Sequence, residues 1–477
     1  MSVAKVLIVA RLFFRYFVRK ALSAGVLRSR LARIFLGVGV LAGVVVLGAV
    51  ATSVFREIVP GRRELFLVIQ ISTTTVVFWS LIAFIFVKIL FVTSDDLVRY
   101  TMLLPVSQRE RSAALALYEF AMVGVCVGGL FLPIAIASLV RLGPDAVPGL
   151  LAGIAMTAVT AYLVLSVLYN VVSRVVQAFG GSRLVHVVVL SLMAALTLWY
   201  NGASMTLIRD MSSDFLRGGI EFHVVNLFPF LHERLGWPVA AAAFLALTTV
   251  MVVLAALTSP AAFPIRRRFV RAAVPLPGLP VWPTVTALAR RSEWWIAVVV
   301  AYICSVMLWL DGGTAFVYAA LILLSQGIYV YAATNRLRLM PGYSRSAAKE
   351  VVHMLLGQTI VTTVHAVPIS LFAAARPEAL ADLRIVAIAL VSGVVLTTLI
   401  AIVFVAENDS PIVVFTGYAV CIGALVSIGA MVGLLQVPGP WLGFGAACAQ
   451  ALAVVYSIVG MKQITRRKRH ETAVTGS

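Results

Sequence analysis

The chain has 477 residues, of which 61% are hydrophobic and 12% are charged, and its formal net charge at pH 7 is +19. An average soluble domain carries about 25% charged residues, and the mean hydropathy of this chain is +1.03. This composition excludes a soluble globular protein, a disordered chain and a disulfide-stapled secreted domain. The basic residues lie between apolar stretches rather than in one patch, so they indicate membrane topology and no nucleic-acid partner.

Residues 1–33 predict an amphipathic helix on the cytoplasmic membrane surface. Arg11, Arg15 and Arg19 recur every four residues and form a basic stripe. Phenylalanines and aliphatic residues occupy the other side, as in helices that lie in the membrane interface. A secretory signal peptide is the alternative, but the arginines interrupt its apolar region.

Twelve apolar stretches follow, and lipid requires every backbone polar group in them to be bonded within its own helix. The sequence therefore predicts an all-α, polytopic integral membrane protein with about 12 transmembrane helices. The stretches cover residues 34–55, 66–92, 112–139, 150–170, 187–207, 238–258, 295–311, 314–333, 351–375, 384–405, 411–436 and 441–461.

The distribution of basic residues predicts that both termini lie in the cytoplasm. With that orientation, 29 of the 38 Lys and Arg residues fall on the inner side. The predicted order is a surface helix at 1–33, a six-span half at 34–258, a linker at 259–293, a second six-span half at 294–461 and a basic tail at 462–477. The linker is rich in proline and arginine and is predicted to be cytoplasmic.

A proline-containing motif follows the second span of each half. The first copy contains Asp95 and Asp96, then the run Leu103-Leu104-Pro105-Val106-Ser107-Gln108-Arg109. The second copy is Leu339-Met340-Pro341-Gly342-Tyr343-Ser344-Arg345. Pro105 and Pro341 are 236 residues apart, close to half the chain. This spacing favours an internal duplication, which is common in transporters, although a single proline match could also arise by chance.

Motifs for nucleotide binding and for catalysis are absent from the sequence. There is no phosphate-binding G-x-x-x-x-G-K-[ST] loop, no zinc-binding histidine spacing and no G-x-S-x-G nucleophile motif. The four cysteines lie in apolar stretches and are expected to be buried small hydrophobes. We therefore expect no enzyme, no metal site and no cofactor in this chain.

Polar residues within the spans are the remaining candidates for function. Lys88 and Glu119 lie near cytoplasmic span ends, where we expect them to reach the interface. A possible substrate route consists of Gln70, Thr74, Ser80, Ser325, Gln326 and His365. The alternative for these six residues is hydrogen bonding between helices of the bundle.

The order of elements and the first motif resemble the type-2 ABC exporter permeases, in particular bacterial members with two six-span halves fused in one chain. The resemblance rests on the surface helix, the Leu-Leu-Pro loop after span two and the long apolar outer segment, 208–237, between spans five and six.

This resemblance implies a plasma-membrane transport subunit whose cytoplasmic loops dock on a separate, dimeric ABC ATPase that holds ATP and magnesium. It also implies an amphiphilic or hydrophobic substrate, such as a peptide, an antibiotic or a lipid-like compound. The residues that it assigns to the coupling loops are Asp95, Asp96, Leu104, Pro105, Ser107, Arg109 and Arg111 in the first loop, and Met340, Pro341, Tyr343, Arg345 and Lys349 in the second.

Three other interpretations remain open from the sequence. The two loops could be ordinary basic cytoplasmic loops that follow the positive-inside rule. The chain could be a secondary transporter driven by an ion gradient, or a membrane-embedded enzyme acting on lipid-linked substrates. An intramembrane carboxylate would favour the secondary transporter, and clustered carboxylates at one face would favour the enzyme.

Overall fold

A computed structural model describes residues 2–23, 30–58, 62–90, 101, 104–179, 185–217, 222–259, 280–310, 312–335, 337–340, 346–404 and 439–475. Helices and turns make up these residues, and none of them lies in a β-strand. The protein is therefore all-α over its described part.

The chain divides into two compact units, with the boundary between Ile265 and Arg266. The division falls within the segment predicted as a linker. Unit 1 contains eight named helices. They are α1 (Val3–Ser23), α2 (Arg30–Ile58), α3 (Arg62–Leu90), α4 (Gln108–Leu142), α5 (Thr157–Ala178), α6 (Val185–Leu216), α7 (Leu227–Leu235) and α8 (Trp237–Thr258).

Unit 2 contains five named helices and one 3₁₀ segment. The helices are α9 (Trp282–Ala289), α10 (Ser292–Leu310), α11 (Ala347–Ala374), α12 (Ala379–Val403) and α13 (Gly439–Thr475). The 3₁₀ segment Ala315–Tyr329 continues as the short α-helix Val330–Ala333, and together they are called the 315–333 segment. Helix α9 lies inside the predicted linker, and α7 lies inside the predicted outer segment 208–237.

Nine described helical stretches are long and apolar enough to cross a membrane. The longest, Gln108–Ala178, has 71 residues and includes both α4 and α5, which correspond to two predicted spans. Helix α2 contains a further apolar helical stretch, Gly43–Ser53, which is shorter than these nine. The predicted span at 411–436 lies outside the described residues. The chain is thus a multi-pass membrane protein by the length and composition of its helices.

The chain reverses its direction between α4 and α5, and this turn depends on one glycine. Gly143 has φ +62°, a conformation that side chains with a Cβ rarely adopt. Pro144 follows at the first turn of a 3₁₀ helix, where its missing N–H costs no hydrogen bond. The chain then passes through a short helix at Val147–Leu150 and a π-helical stretch at Leu151–Met156 before α5 begins.

The core of unit 1 is built around α3. Helix α3 packs against α4, α5 and α6, and the rings of Phe84 and Tyr162 meet edge to face. Gly153 lets the backbone approach Ile69, because a Cβ at Gly153 would lie 2.4 Å from Ile69 Cγ2. Close approach at small residues is typical of membrane helix packing.

The core of unit 2 is built around the 315–333 segment, which packs against α10, α11 and α12. Phe316, Leu323 and Val330 are fully buried in this core together with Trp294 and Met354. Many aliphatic side chains on the outer faces of the helices in both units are exposed. This distribution fits helices that meet lipid on one side and protein on the other.

Candidate functional site

The first predicted coupling loop leads directly into a well-capped helix. Ser107 is the N-cap of α4, where its Oγ accepts a hydrogen bond from the Glu110 N–H at 3.3 Å. The Glu110 carboxylate accepts the Ser107 N–H in return at 3.0 Å. This reciprocal capping box satisfies donors that the helix cannot bond itself. It fixes Pro105 and Ser107, both exposed, at the start of α4.

Glu110 also binds the N-terminus of the chain. Its Oε1 accepts a hydrogen bond from the Ser2 backbone N–H at 2.7 Å. The carboxylate therefore accepts the backbone N–H groups of Ser2 and Ser107, which lie 105 residues apart in the chain, and such bonds favour its charged form. They hold the start of α1 against the start of α4.

Two arginines that follow the loop have different environments. Arg111 is buried, and its guanidinium donates to the Thr101 carbonyl at 3.0 Å, the Val106 carbonyl at 3.4 Å and Gln108 Oε1 at 2.7 Å. Arg109 is exposed. Arg111 thus ties the loop to α4, whereas Arg109 is available to a partner.

Aromatic rings join α1 to α4 farther along the helix. The rings of Phe13, Phe14 and Phe17 lie 5.1–6.5 Å from the fully buried Tyr118 ring in edge-to-face geometry. Such pairs contribute about 0.5–1.5 kcal/mol beyond the area they bury. We call α1, residues 104–107 and the first turn of α4 the N-terminal surface.

The positions of Lys88 and Glu119 near span ends predicted that each side chain reaches the membrane interface. This prediction is wrong. The two side chains form a buried ion pair between α3 and α4, with 2.7 Å between Lys88 Nζ and Glu119 Oε2. The ammonium also lies 4.4 Å from the centre of the Tyr169 ring and 5.4 Å from the Phe84 ring. Each charge offsets the desolvation of the other, so neither side chain needs to extend to water.

The second predicted coupling loop is described at its two edges. Met340 and Lys349 are exposed, whereas Pro341, Tyr343 and Arg345 lie outside the described residues. Asp95 and Asp96 of the first loop also lie outside them. Arg338 anchors the entry to the second loop. Its guanidinium donates to the Tyr331 carbonyl, stacks 3.6 Å from the Tyr331 ring centre and lies 3.9 Å from Met461 Sδ.

The helices that follow the two loops share an internal proline. Pro133 lies inside α4, 28 residues after Pro105, and Pro368 lies inside α11, 27 residues after Pro341. Proline inside a helix is uncommon because it removes a backbone hydrogen bond and clashes with the preceding turn. A second matched proline, on the same helix after the loop, strengthens the argument for duplication.

The candidate route residues of unit 1 lie in the interior. Gln70, Thr74 and Ser80 on α3 are buried, and Thr74 donates its hydroxyl to the Ile71 carbonyl at 2.7 Å. Tyr200 on α6 donates to the Thr74 carbonyl at 3.1 Å. Among the described residues, Gln70 Nε2 and Ser80 Oγ have no hydrogen-bond partner. Thr74 therefore takes part in contact between helices, and Gln70 and Ser80 keep unused polar atoms.

The candidate route residues of unit 2 lie on two elements, with Ser325 and Gln326 in the 315–333 segment and His365 in α11. Gln326 Nε2 donates to Ser325 Oγ at 3.2 Å. His365 lies on α11 between the rings of Trp294 and Trp295, whose centres are 5.4 and 5.8 Å from the imidazole. His365 Nδ1 lies 2.8 Å from the Val361 carbonyl within its own helix.

A buried polar cluster in unit 2 was not identified from the sequence. Gln358 donates to Thr397 Oγ1 at 2.8 Å and accepts from Thr398 Oγ1 at 3.0 Å, which joins α11 to α12. Gly327 faces this cluster so closely that a Cβ there would lie 2.0 Å from Gln358 Nε2. The sequence features that could have indicated this cluster are Gln358, which stands alone in an apolar stretch, and the Thr397-Thr398 pair in the next apolar stretch.

Metal binding has no support in the described part of the chain, where no group of three or more His, Cys, Asp or Glu side chains is arranged to hold an ion. Comparisons of the chain with protein-family models, with curated proteins and with solved structures find no match.

Proposed function

We propose that this chain is the permease subunit of an ATP-driven exporter of the type-2 ABC class, in a bacterial plasma membrane. In this proposal, it forms the conduit for an amphiphilic or hydrophobic substrate, such as a peptide, an antibiotic or a lipid-like compound. A separate ATPase subunit, present as a dimer, carries ATP and magnesium. The observation that carries the proposal is the N-terminal surface, where an exposed Pro105–Ser107 turn and exposed Arg109 sit on a preformed, capped helix.

The contacts around this surface give a path for coupling. Force on Pro105 and Arg109 would reach α4 through the capping box and the Arg111 bonds to the Thr101 and Val106 carbonyls. From α4 it would reach α3 through the Lys88–Glu119 pair. A partner that moves the loop would therefore move the two helices as a pair.

The repeated motif supports a second docking loop. Met340 is exposed before α11, and Arg338 fixes the chain just before it. The proline matches between α4 and α11 support equivalent positions for the two loops in a duplicated fold. One chain with two such loops could engage both subunits of an ATPase dimer.

The first experiment is purification of the chain from its native membrane in mild detergent, followed by mass spectrometry. The proposal expects a stoichiometric ABC ATPase subunit in the preparation. A well-folded preparation that contains no ATPase would reject it.

The docking loop is tested by Pro105→Ala combined with Arg109→Gln, with the ATPase titrated onto the purified chain. Loss of an arginine hot spot costs about 2 kcal/mol or more, so Kd should rise by roughly 30-fold. The matched control is Pro144→Ala with Arg141→Gln at the opposite end of α4, which should leave Kd unchanged. If the two double substitutions change Kd equally, the loop does not form part of the ATPase interface.

An ion-coupled transporter is the second candidate, favoured by the buried Lys88–Glu119 pair, because intramembrane charges often serve ion transport. It predicts transport by the chain alone in proteoliposomes with an ion gradient and without ATP. Such transport, abolished by Glu119→Gln, would establish the second candidate instead of the first.

A further inference from the structure

The orientation of α1 about its own axis is set by its contacts with α4. Val6, Val9, Ala10 and Phe13 are buried, and they lie on one side of the helix. The stacking of Phe13, Phe14 and Phe17 on Tyr118 and the bond from Ser2 to Glu110 hold this side against α4. The opposite side of α1 therefore faces away from unit 1.

The outward side of α1 is basic along its length. Arg11, Arg15 and Arg19 are spaced four residues apart, lie opposite the buried side and are exposed. No acidic residue occurs in α1. This side of the helix thus presents three neighbouring guanidinium groups with no carboxylate between them.

Exposed aliphatic residues lie beside these arginines. Leu7, Ile8, Leu12 and Val18 are 54%, 60%, 44% and 48% exposed. A helix face that contacts only water would carry polar side chains at these positions. Aliphatic side chains that alternate with arginines match the boundary between lipid headgroups and acyl chains, where long cationic side chains reach phosphates.

The position of α1 along α4 agrees with that boundary. The first turn of α4 carries Arg109, Glu110 and Arg111, whereas its sequence from Ala113 to Ala137 is apolar apart from Glu119. Tyr118, which receives the α1 rings, lies about 8 Å along the helix from Ala113. Helix α1 is therefore attached where α4 passes from a charged to an apolar surface.

We propose that the outward side of α1 binds anionic phospholipids of the adjacent leaflet, with Arg11, Arg15 and Arg19 pairing with the lipid phosphates and acidic headgroups. The aliphatic residues insert between the acyl chains. Arginine suits this role because its planar guanidinium binds phosphate in a bidentate manner and stays charged. The inference goes beyond the proposed export function and does not depend on it.

The test measures lipid selectivity of the full chain by electron paramagnetic resonance. The chain is reconstituted in phosphatidylcholine vesicles that contain either spin-labelled phosphatidylglycerol or spin-labelled phosphatidylcholine. The wild type should select phosphatidylglycerol, and high salt should reduce this preference. Each basic residue near an anionic surface strengthens binding by roughly fivefold. The triple variant Arg11→Gln, Arg15→Gln, Arg19→Gln should therefore lose a corresponding part of the selectivity.

Two further variants separate this surface from other basic residues and from damage to the fold. The triple variant Arg141→Gln, Arg209→Gln, Arg217→Gln makes the same charge change at exposed positions outside α1 and should keep the wild-type selectivity. The triple Arg-to-Lys variant at positions 11, 15 and 19 keeps the charge and should retain most of it.

Equal lipid selectivity of the wild type and the Gln variant at positions 11, 15 and 19 would overturn the proposal. If that variant also loses a protein that co-purifies with the wild type, the surface belongs to an acidic protein partner instead. If the Gln variant fails to fold, the salt dependence of the wild type and the Lys variant decide the question.

Discussion

At the scale of single residues, the buried Lys88–Glu119 pair makes the stability of the protein sensitive to the loss of either partner. Both side chains are at most 9% exposed, and their ion pair joins α3 to α4. A buried pair need not stabilise a protein relative to apolar residues, but removal of one partner leaves an uncompensated charge.

We expect Lys88→Met to lower the free energy of unfolding by about 3–5 kcal/mol. The double variant Lys88→Met, Glu119→Met should recover most of this loss, because no isolated charge remains. Thermal unfolding of the four members of this double-mutant cycle, in one detergent, measures the coupling. The control is Lys349→Met at an exposed position. Additive effects of the two single substitutions would show that the pair does not form.

Gly327 gives a second prediction at this scale. Any side chain there meets Gln358 and Thr397, whose atoms lie 2.0–2.7 Å from the ideal Cβ position. Gly327→Ala should therefore break the bonds of Gln358 and cost about 1–3 kcal/mol, which is typical of overpacking. The control is Gly443→Ala, where a Cβ has open space. An unchanged melting temperature for Gly327→Ala would contradict the close approach.

At the scale of elements, the start of α4 is fixed by side chains rather than by packing alone. Ser107, Glu110 and Arg111 bond the first turn, the loop and the N-terminus of the chain. These bonds hold the end of the loop to α4 and to the start of α1.

Substitution of the cap should loosen that element locally. Ser107→Ala removes the side-chain acceptor and should cost about 1 kcal/mol, seen as faster hydrogen exchange of amides in the first turn of α4. Ser107→Asn keeps an acceptor at the N-cap and should restore protection. Equal exchange in all three proteins would show that the capping box does not determine the stability of this turn.

At the scale of the whole molecule, the sequence predicted helices and spans better than it predicted pairs of side chains. Apolar stretches such as 66–92 and 384–405 correspond to α3 and α12. A single segment in lipid forms a helix because the helix bonds all of its own backbone N–H and C=O groups. The matched loops predicted from the proline spacing precede α4 and α11 in the sequence, and their equivalence stays a prediction. These features depend on local sequence, which is visible without a structure.

Contacts between distant residues could not be predicted in the same way. Lys88 and Glu119 are separated by 31 residues, and each alone resembles a side chain at a span end. The bond from Ser2 to Glu110 uses a backbone N–H, which carries no sequence signal. The Gln358 cluster depends on the rotation of α11 relative to α12. Such rotations are set by packing and not by hydropathy.

The division into two units leads to a prediction for the molecule as a whole. Among the described residues, those that form the core of unit 2, from Val285 to Met461, all follow the boundary at Arg266. The Gly327 contact and the Gln358 cluster lie within the same unit. A chain of residues 266–477 should therefore insert into the membrane and keep this core.

Gly327→Ala should lower the melting temperature of this fragment by the same amount as in the full chain, since effects that share no partners add. Thermal unfolding of the full chain and the fragment, each with and without the substitution, measures both shifts. A fragment that unfolds without a cooperative transition, or whose shift differs from that of the full chain, would mean that the core of unit 2 depends on residues before Arg266.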